Sequence, residues 1–349
     1  MLKIGIIGLP SSGKTTLYQT LKRDNPDTHG KNGESITTTP IEDSKLGQLA
    51  NIYNPKKITK TKIELSDGLP SSSSSINTRE ATRLRNLNCF FAVLDSFSIE
   101  KKTNMMKHLG QDINAIIEEL CLQDLPIVES SIEKISKESR KGVNARAQEL
   151  ETLKKISEDL NLSKLPGISE TEKNFVKGYQ FLSLKPIHFI ANIDENNINS
   201  KELTKINTAL KEKWPFLSLE YACLGLEKDL QDLEEDERGV FLEEYNLNQP
   251  ASETFLKKIF MITGRHFFYT GGPTEVRAWD IPVNSTIQEA AGAIHKDLEK
   301  NFIKGDVWPS DKVIEFGSES NAKKEGFWSL QGKDYIVKNG DLVLIRHSG

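Results

Sequence analysis

The chain has 349 residues, a length that suits two or three domains with a large buried core. A hydrophobic share of 37%, a charged share of 28% and a formal net charge of −4 exclude collagen-like, disordered and bulk nucleic-acid-coating compositions. No run of 18 apolar residues occurs, and the opening Met-Leu-Lys-Ile-Gly-Ile-Ile-Gly lacks the pattern of a secretory leader, so a cytoplasmic protein without a membrane partner is expected. Cys89, Cys121 and Cys223 form no CxxC pair and six histidines lie scattered, which points to buried thiols rather than a zinc site.

Lys3-Ile4-Gly5-Ile6-Ile7 reads as a short strand buried in a parallel sheet. It runs into Gly8-Leu9-Pro10-Ser11-Ser12-Gly13-Lys14-Thr15, which satisfies G-x-x-x-x-G-K-[ST], and then into Thr16-Leu17-Tyr18-Gln19-Thr20-Leu21 with helical spacing. Strand, glycine loop and helix in that order are the context of a phosphate-binding loop. Backbone N–H groups of Gly8, Ser11, Ser12, Gly13, Lys14, Thr15 and Thr16 are expected to cradle a phosphate chain at the positive end of the helix. Lys14 is the expected catalytic cation on the β and γ phosphates, and the Thr15 hydroxyl the expected ligand of Mg²⁺.

Apolar spacing at Ile116, Leu120, Ile127, Ile132, Ile135, Leu150, Leu153 and Ile156 predicts two long antiparallel helices between Ile113 and Leu160, turning near Gly142. From 133 to 155, seven Lys or Arg stand against four Glu, a mild basic concentration. Pro186–Ala191 and Leu217–Ala222 read as further strands. Beyond Phe267 come short strands around one helix, Ile287 to Glu299, and Lys338-Asn339-Gly340-Asp341 predicts a hairpin between Lys333–Val337 and Leu342–Arg346. The segment 267–349 carries 10 basic and 12 acidic residues, net −2, which argues against a phosphate-dominated RNA interface there and gives no reason to expect DNA. Trp279, Trp308 and Trp328 are read as packing residues.

Gly5-Ile6-Ile7-Gly8-Leu9-Pro10 before the lysine loop resembles the opening of the YchF/Obg-like ATPases, relatives of the translation-factor P-loop GTPases. Pro55-Lys56-Lys57-Ile58, Asp112-Ile113-Asn114, Leu122-Gln123-Asp124-Leu125 and above all Thr270-Gly271-Gly272-Pro273-Thr274-Glu275-Val276-Arg277-Ala278-Trp279 resemble the same family in the same order. The resemblance implies an α/β fold: a doubly wound P-loop NTPase sheet with an inserted helical hairpin and a C-terminal β-grasp (TGS) domain. On that pattern residues 1–111 and 181–266 form the nucleotide-binding domain, 112–180 the helical arm and 267–349 the TGS-like domain.

The same resemblance assigns further residues. Asn192-Ile193-Asp194-Glu195 stands where GTPases carry N-K-x-D, in the N-x-x-E form of the family. Asn192, Ile193 and Glu195 are thus expected to border a base, with adenine tolerated or preferred because the longer glutamate misplaces its carboxylate against guanine. Cys223 stands where the family has a small residue of the last base-side loop. Asp67 corresponds to the second-switch aspartate that supports Mg²⁺, but Gly68 follows immediately and Ser71–Ser75 replace a glycine-rich stretch, a degenerate second switch. Thr37, Thr38 and Thr39 are candidates for the first switch, with Ser35 nearer in alignment. With only Leu69 where a water-orienting residue could stand, hydrolysis of ATP or GTP is expected to be slow. The implied partners are a nucleotide and a ribosome or ribosomal subunit, met through the arm and the TGS domain. A hydrolysis-deficient adaptor and a P-loop kinase are the competing readings.

Overall fold

The computed structural model describes residues 1–22, 26, 28–29, 35–67, 76–97, 104–140 and 146–348. Gly68, Leu69, Ser71–Ser75 and the expected arm tip at Gly142 lie outside the described residues. The chain divides into two compact units, residues 2–37 with 64–255 and residues 38–63 with 256–349.

Among the described residues the strands run, in chain order, β1 (Leu2–Gly8), β2 (Thr28–His29), β3 (Ser35–Pro40), β4 (Lys57–Thr59), β5 (Lys62–Asp67), β6 (Cys89–Ser96), β7 (Ile187–Ile193), β8 (Ser218–Ala222), β9 (Arg265–Thr270), β10 (Glu275–Pro282), β11 (Phe302–Pro309), β12 (Ser329–Gln331) and β13 (Asp341–His347). The first sheet has the order β2-β3-β5-β1-β6-β7-β8, with β1, β6, β7 and β8 parallel. Every residue of β6 and of β7 is buried, as expected of strands covered on both faces. Parallel register carries Gly8, Asp95, Asn192 and Ala222 to the same carboxyl edge, where ligands bind in open α/β sheets.

The helical arm grows out of the nucleotide unit's own covering layer. One helix runs Met105–Arg140, so the expected boundary at 111/112 falls inside it. Its first turns bury Leu109, Ile113, Ile116 and Ile117 in the same core as Phe90, Ala92 and Phe189. The helix Ala147–Asn161 adds Leu153, Ile156 and Leu160 to that core. Among the arm's basic residues, Lys137 pairs with Glu133 at 2.5 Å, Arg146 with Glu149 at 2.5 Å and Lys155 with Glu172 at 2.6 Å. That pairing suits an ordinary solvated surface.

The second unit holds the sheet β12-β11-β13-β9-β10-β4. Residues 38–63, expected in the nucleotide domain, belong to this unit instead. The reason is burial: Leu46 and Leu49 of the helix Ser44–Tyr53 share a core with Tyr269, Val276, Ala278, Trp308 and Leu342. β4 extends the sheet, pairing in parallel with β10. Asp43 caps that helix and accepts from the Tyr269 hydroxyl at 2.7 Å. The charge balance changes with the boundary. The whole unit carries 18 Lys and Arg against 14 Asp and Glu, net +4, leaving −8 for the other unit in a chain of −4.

Two local expectations fail here for non-local reasons. The Lys338–Asp341 turn forms, with Lys338 N donating to the Asp341 carboxylate at 2.8 Å, but no hairpin follows. β13 pairs with β11 and β9, while the preceding chain holds only Ile336 against Thr286. The expected helix Ile287 to Glu299 splits into Ile287–Ile294 and Lys296–Lys300, because His295 is extended and its Nδ1 caps the second piece through Asp297 N at 3.2 Å. The sheet still wraps Ile287–Ile294 in the expected β-grasp manner, burying Ile287 and Ala290 with Phe268, Val307 and Val343. Trp308 is core, Trp279 stacks on Phe268, and the Trp328 indole donates to Asp306 at 3.0 Å, so all three tryptophans are packing residues.

Candidate nucleotide site

The phosphate loop leaves β1 with a turn that side chains resist. Gly8 has φ +150°, and a Cβ there would lie 2.4 Å from the Val93 carbonyl oxygen. Gly13 has φ +104°, and a Cβ would meet Asn192 Nδ2 at 2.6 Å. Between them Ser11 adopts φ +60°, a left-handed conformation that costs a non-glycine residue about 1 kcal/mol or more. The helix Lys14–Lys22 starts at once, so its free N–H groups open onto the loop. The Ser12 hydroxyl is buried there and has no partner among the described residues, and the same holds for the Ser96 hydroxyl at the end of β6. A buried hydroxyl without a partner is costly and marks a place where a polar ligand can supply one.

Lys14 is 5% exposed and donates to the carbonyls of Gly8 at 3.0 Å and Leu9 at 2.7 Å. Burial holds its pKa below the usual amine value, and the Asp67 carboxylate pulls it back up. The end of β5 therefore brings Asp67 into the field of Lys14, although Asp67 does not itself line the cavity. Thr37, in the same unit, does not line it either. Thr37 is buried and donates to the Pro26 carbonyl at 3.1 Å, and Thr39 is buried.

Asn192 joins the two ends of the site. Its Nδ2 donates to the Ser12 carbonyl at 3.1 Å, and its Oδ1 accepts from Leu224 N at 3.1 Å. One side chain thus holds the phosphate loop, the end of β7 and the start of the helix Leu224–Asp232 in register. Asp194 is spent locally, capping the turn through Asn196 N at 3.1 Å and Nδ2 at 2.7 Å. Glu195 is left as the carboxylate on the cavity wall. The Cys223 thiol is half-buried, with burial raising its pKa and the Glu195 charge adding to that rise.

The open cleft has a volume of about 630 Å³, within the range of small-molecule sites. Ser11, Ser12, Gly13, Lys14, Thr15, Thr16, Asn192, Ile193, Glu195 and Cys223 line it, and Gly8 lies at the loop's root behind them. Sequence reasoning missed Phe97, Asp194 and Gly225. Phe97 follows β6 beside the end of β7, and its 41% exposure is unusual for a phenylalanine on a cavity wall. A signal was available in Cys89–Ser96, an apolar strand whose carboxyl end had to reach the same edge.

Among known proteins, a ribosome-binding ATPase YchF of Haemophilus ducreyi is 30% identical over 359 residues, covering 99% of this chain and 98% of that one. The chain belongs to the YchF family. The YchF of Escherichia coli O157:H7 is likewise 30% identical, with 98% of each chain covered. The family model YchF-GTPase_C, described as a protein of unknown function (DUF933), matches residues 266–348. The YchF GTPase of Schizosaccharomyces pombe has the same fold, with a TM-score of 0.84 at 20% identity over 99% of this chain and 97% of that one. The YchF fold accounts for the P-loop NTPase core and the separate C-terminal domain seen here.

Proposed function

We propose that this YchF-family chain binds a purine nucleoside triphosphate with Mg²⁺, ATP by preference, and hydrolyses it slowly as a ribosome-associated nucleotide switch. The bridge made by Asn192 carries this reading, because it couples a phosphate loop with an unpartnered buried hydroxyl to a corner with its own carboxylate, Glu195. Loop N–H groups and the Ser12 hydroxyl bind the phosphate chain, and Lys14 moves from the Gly8 and Leu9 carbonyls to the β and γ phosphates. Ile193 and Glu195 border the base.

The Thr15 hydroxyl and the Asp67 carboxylate are hard oxygen donors beside Lys14, a set that fits Mg²⁺ held mainly by phosphates and water. Bound there, Mg²⁺ supplies charge neutralisation of the phosphate oxygens. Water then displaces ADP from the γ phosphorus, breaking the bond to the β–γ bridging oxygen. Positioning and charge do most of the work in such a transfer, and the altered second switch leaves it slow.

Ribosome association rests on the curated relatives, which are called ribosome-binding ATPases. The arm of residues 112–180 and the domain of residues 267–349 are proposed as its contacts, in a cytoplasmic setting. Titration calorimetry of Mg²⁺·ATP and Mg²⁺·GTP, with ribosome co-sedimentation alongside, tests the reading. Absence of triphosphate binding removes it, and tight binding without turnover replaces the switch by a hydrolysis-deficient adaptor. Turnover above about 1 s⁻¹ without a partner counts against slow hydrolysis.

A further inference from the structure

One turn of the long arm helix grips the short helix Thr78–Arg85 at both ends, and the two grips differ in kind. The grip on Arg85 is buried. Its guanidinium meets Asp124 Oδ1 at 2.5 Å and the Gln123 carbonyl at 2.8 Å, and Asp124 Oδ2 accepts from the Ser183 N–H and hydroxyl, each at 2.8 Å. Asp124 is fully buried, so parting the pair would leave a buried charge alone, and this end is a fixed anchor. The grip at the start of the helix is half-buried. Ile76 N donates to Glu119 Oε1 at 2.8 Å, and the Ile76 carbonyl accepts from Gln123 Nε2 at 2.6 Å. Gln123 Nε2 also donates to Glu119 Oε1 at 3.0 Å, so two side chains one turn apart close on a single backbone position.

The helix has no need of that second grip for its own start. Asn77 caps it, accepting from Arg79 N at 3.1 Å and Glu80 N at 3.0 Å, while Glu80 accepts from Asn77 N at 3.0 Å. Ile76 stands outside this box. It follows residues 68–75, the stretch that begins after Asp67, whose carboxylate lies in the field of Lys14. The chain that leaves the nucleotide site at Asp67 is therefore tied down again at Ile76, and the arm helix does the tying. Fixing both ends of a short connection restricts the conformations open to it, and phosphoryl transfer depends above all on position. We propose that Glu119 and Gln123 are positioning residues for hydrolysis, which hold the exit of the second switch and make the arm helix part of the scaffold for transfer. Neither lines the cavity, so they serve the rate and not the affinity. The proposal rests on the hydrolysis reading above and deepens it.

Single-turnover hydrolysis of Mg²⁺·ATP by the full chain, with calorimetric affinity measured alongside, provides the test. Gln123→Leu and Glu119→Ala are each expected to slow hydrolysis about threefold to tenfold, the scale of one hydrogen bond, with ATP affinity unchanged. The double variant should lose less than the product of the two, because both side chains hold the same residue. Glu119→Gln keeps an acceptor for Ile76 N and should recover most of the rate. A merely structural role would lower rate, affinity and melting temperature together, and that result overturns the proposal, as does an unchanged rate in both single variants. If Glu119→Ala does not fold, Gln123→Leu with Glu119→Gln carries the same comparison. A wild-type chain that binds no ATP, or binds it without turnover, brings down the hydrolysis reading and this inference with it. A wild-type chain that turns over at a rate the variants keep brings down the inference alone.

Discussion

The two ends of the cavity are built in opposite ways. The phosphate end comes from one continuous stretch, Gly8 to Thr16, and depends on backbone groups, two positive-φ glycines and one lysine. The base end is assembled from three separated stretches that supply Phe97, Asn192 to Glu195, and Cys223 with Gly225. A backbone cradle tolerates little change in its own residues but needs few partners. A side-chain corner is only as good as the strands and helices that hold its parts in register. Failure at the first end should abolish binding, whereas failure at the second should weaken or re-aim it.

Lys14→Ala should give the largest effect, a loss of at least about 100-fold in affinity for ATP and GTP alike, since it removes the buried cation proposed to meet the phosphates. Calorimetry checks it, and a loss confined to one nucleotide would break the comparison. Asn192→Ala should cost about 10- to 30-fold, because two hydrogen bonds between buried partners go and the Ser12 carbonyl and Leu224 N–H lose their bridge. A loss as large as that of Lys14→Ala would show the loop cannot hold its shape alone.

Glu227 offers a smaller effect at the base end, read by pH. It sits in the helix that starts at Leu224 and accepts from Ala251 N at 2.6 Å and Ser252 N at 3.1 Å. Burial raises its pKa above the ordinary 4.5 despite those donors. A carboxyl raised in the folded state costs stability when ionised. That cost is relieved as pH falls from its raised pKa toward 4.5 and is fully present above it. Glu227→Gln should therefore flatten the melting temperature across that window, and an unchanged slope would sink the assignment. The smallest effect belongs to Ser11→Gly, which relieves the left-handed strain at φ +60° and should raise stability by about 0.5–1 kcal/mol or less with phosphate affinity retained. A thermal scan with and without ATP reads both quantities.

The parts legible in the sequence share one property, which is that their neighbours in space are their neighbours along the chain. The loop from Gly8 to Thr15 and the buried run Ile187–Ile193 could be placed because a strand, a turn and a helix start each leave a local signature. Asn192 was legible through its family motif, but its double role as a bridge to Ser12 and Leu224 needed the parallel register of three strands.

The segment 38–63 shows the same limit from the other side. Its helix and strand could have formed in either unit, and Leu46 and Leu49 went where Tyr269, Val276 and Trp308 offered apolar surface. Likewise the Lys338–Asp341 turn formed as its residues require, yet β13 took β11 as its partner. Sequence alone determined the phosphate cradle, because backbone angles and a helix start are set by residues within a few positions of one another. Tertiary structure alone decided the base corner, the home of residues 38–63 and the pairing of β13, because burial and strand pairing reward whichever distant partner completes a core.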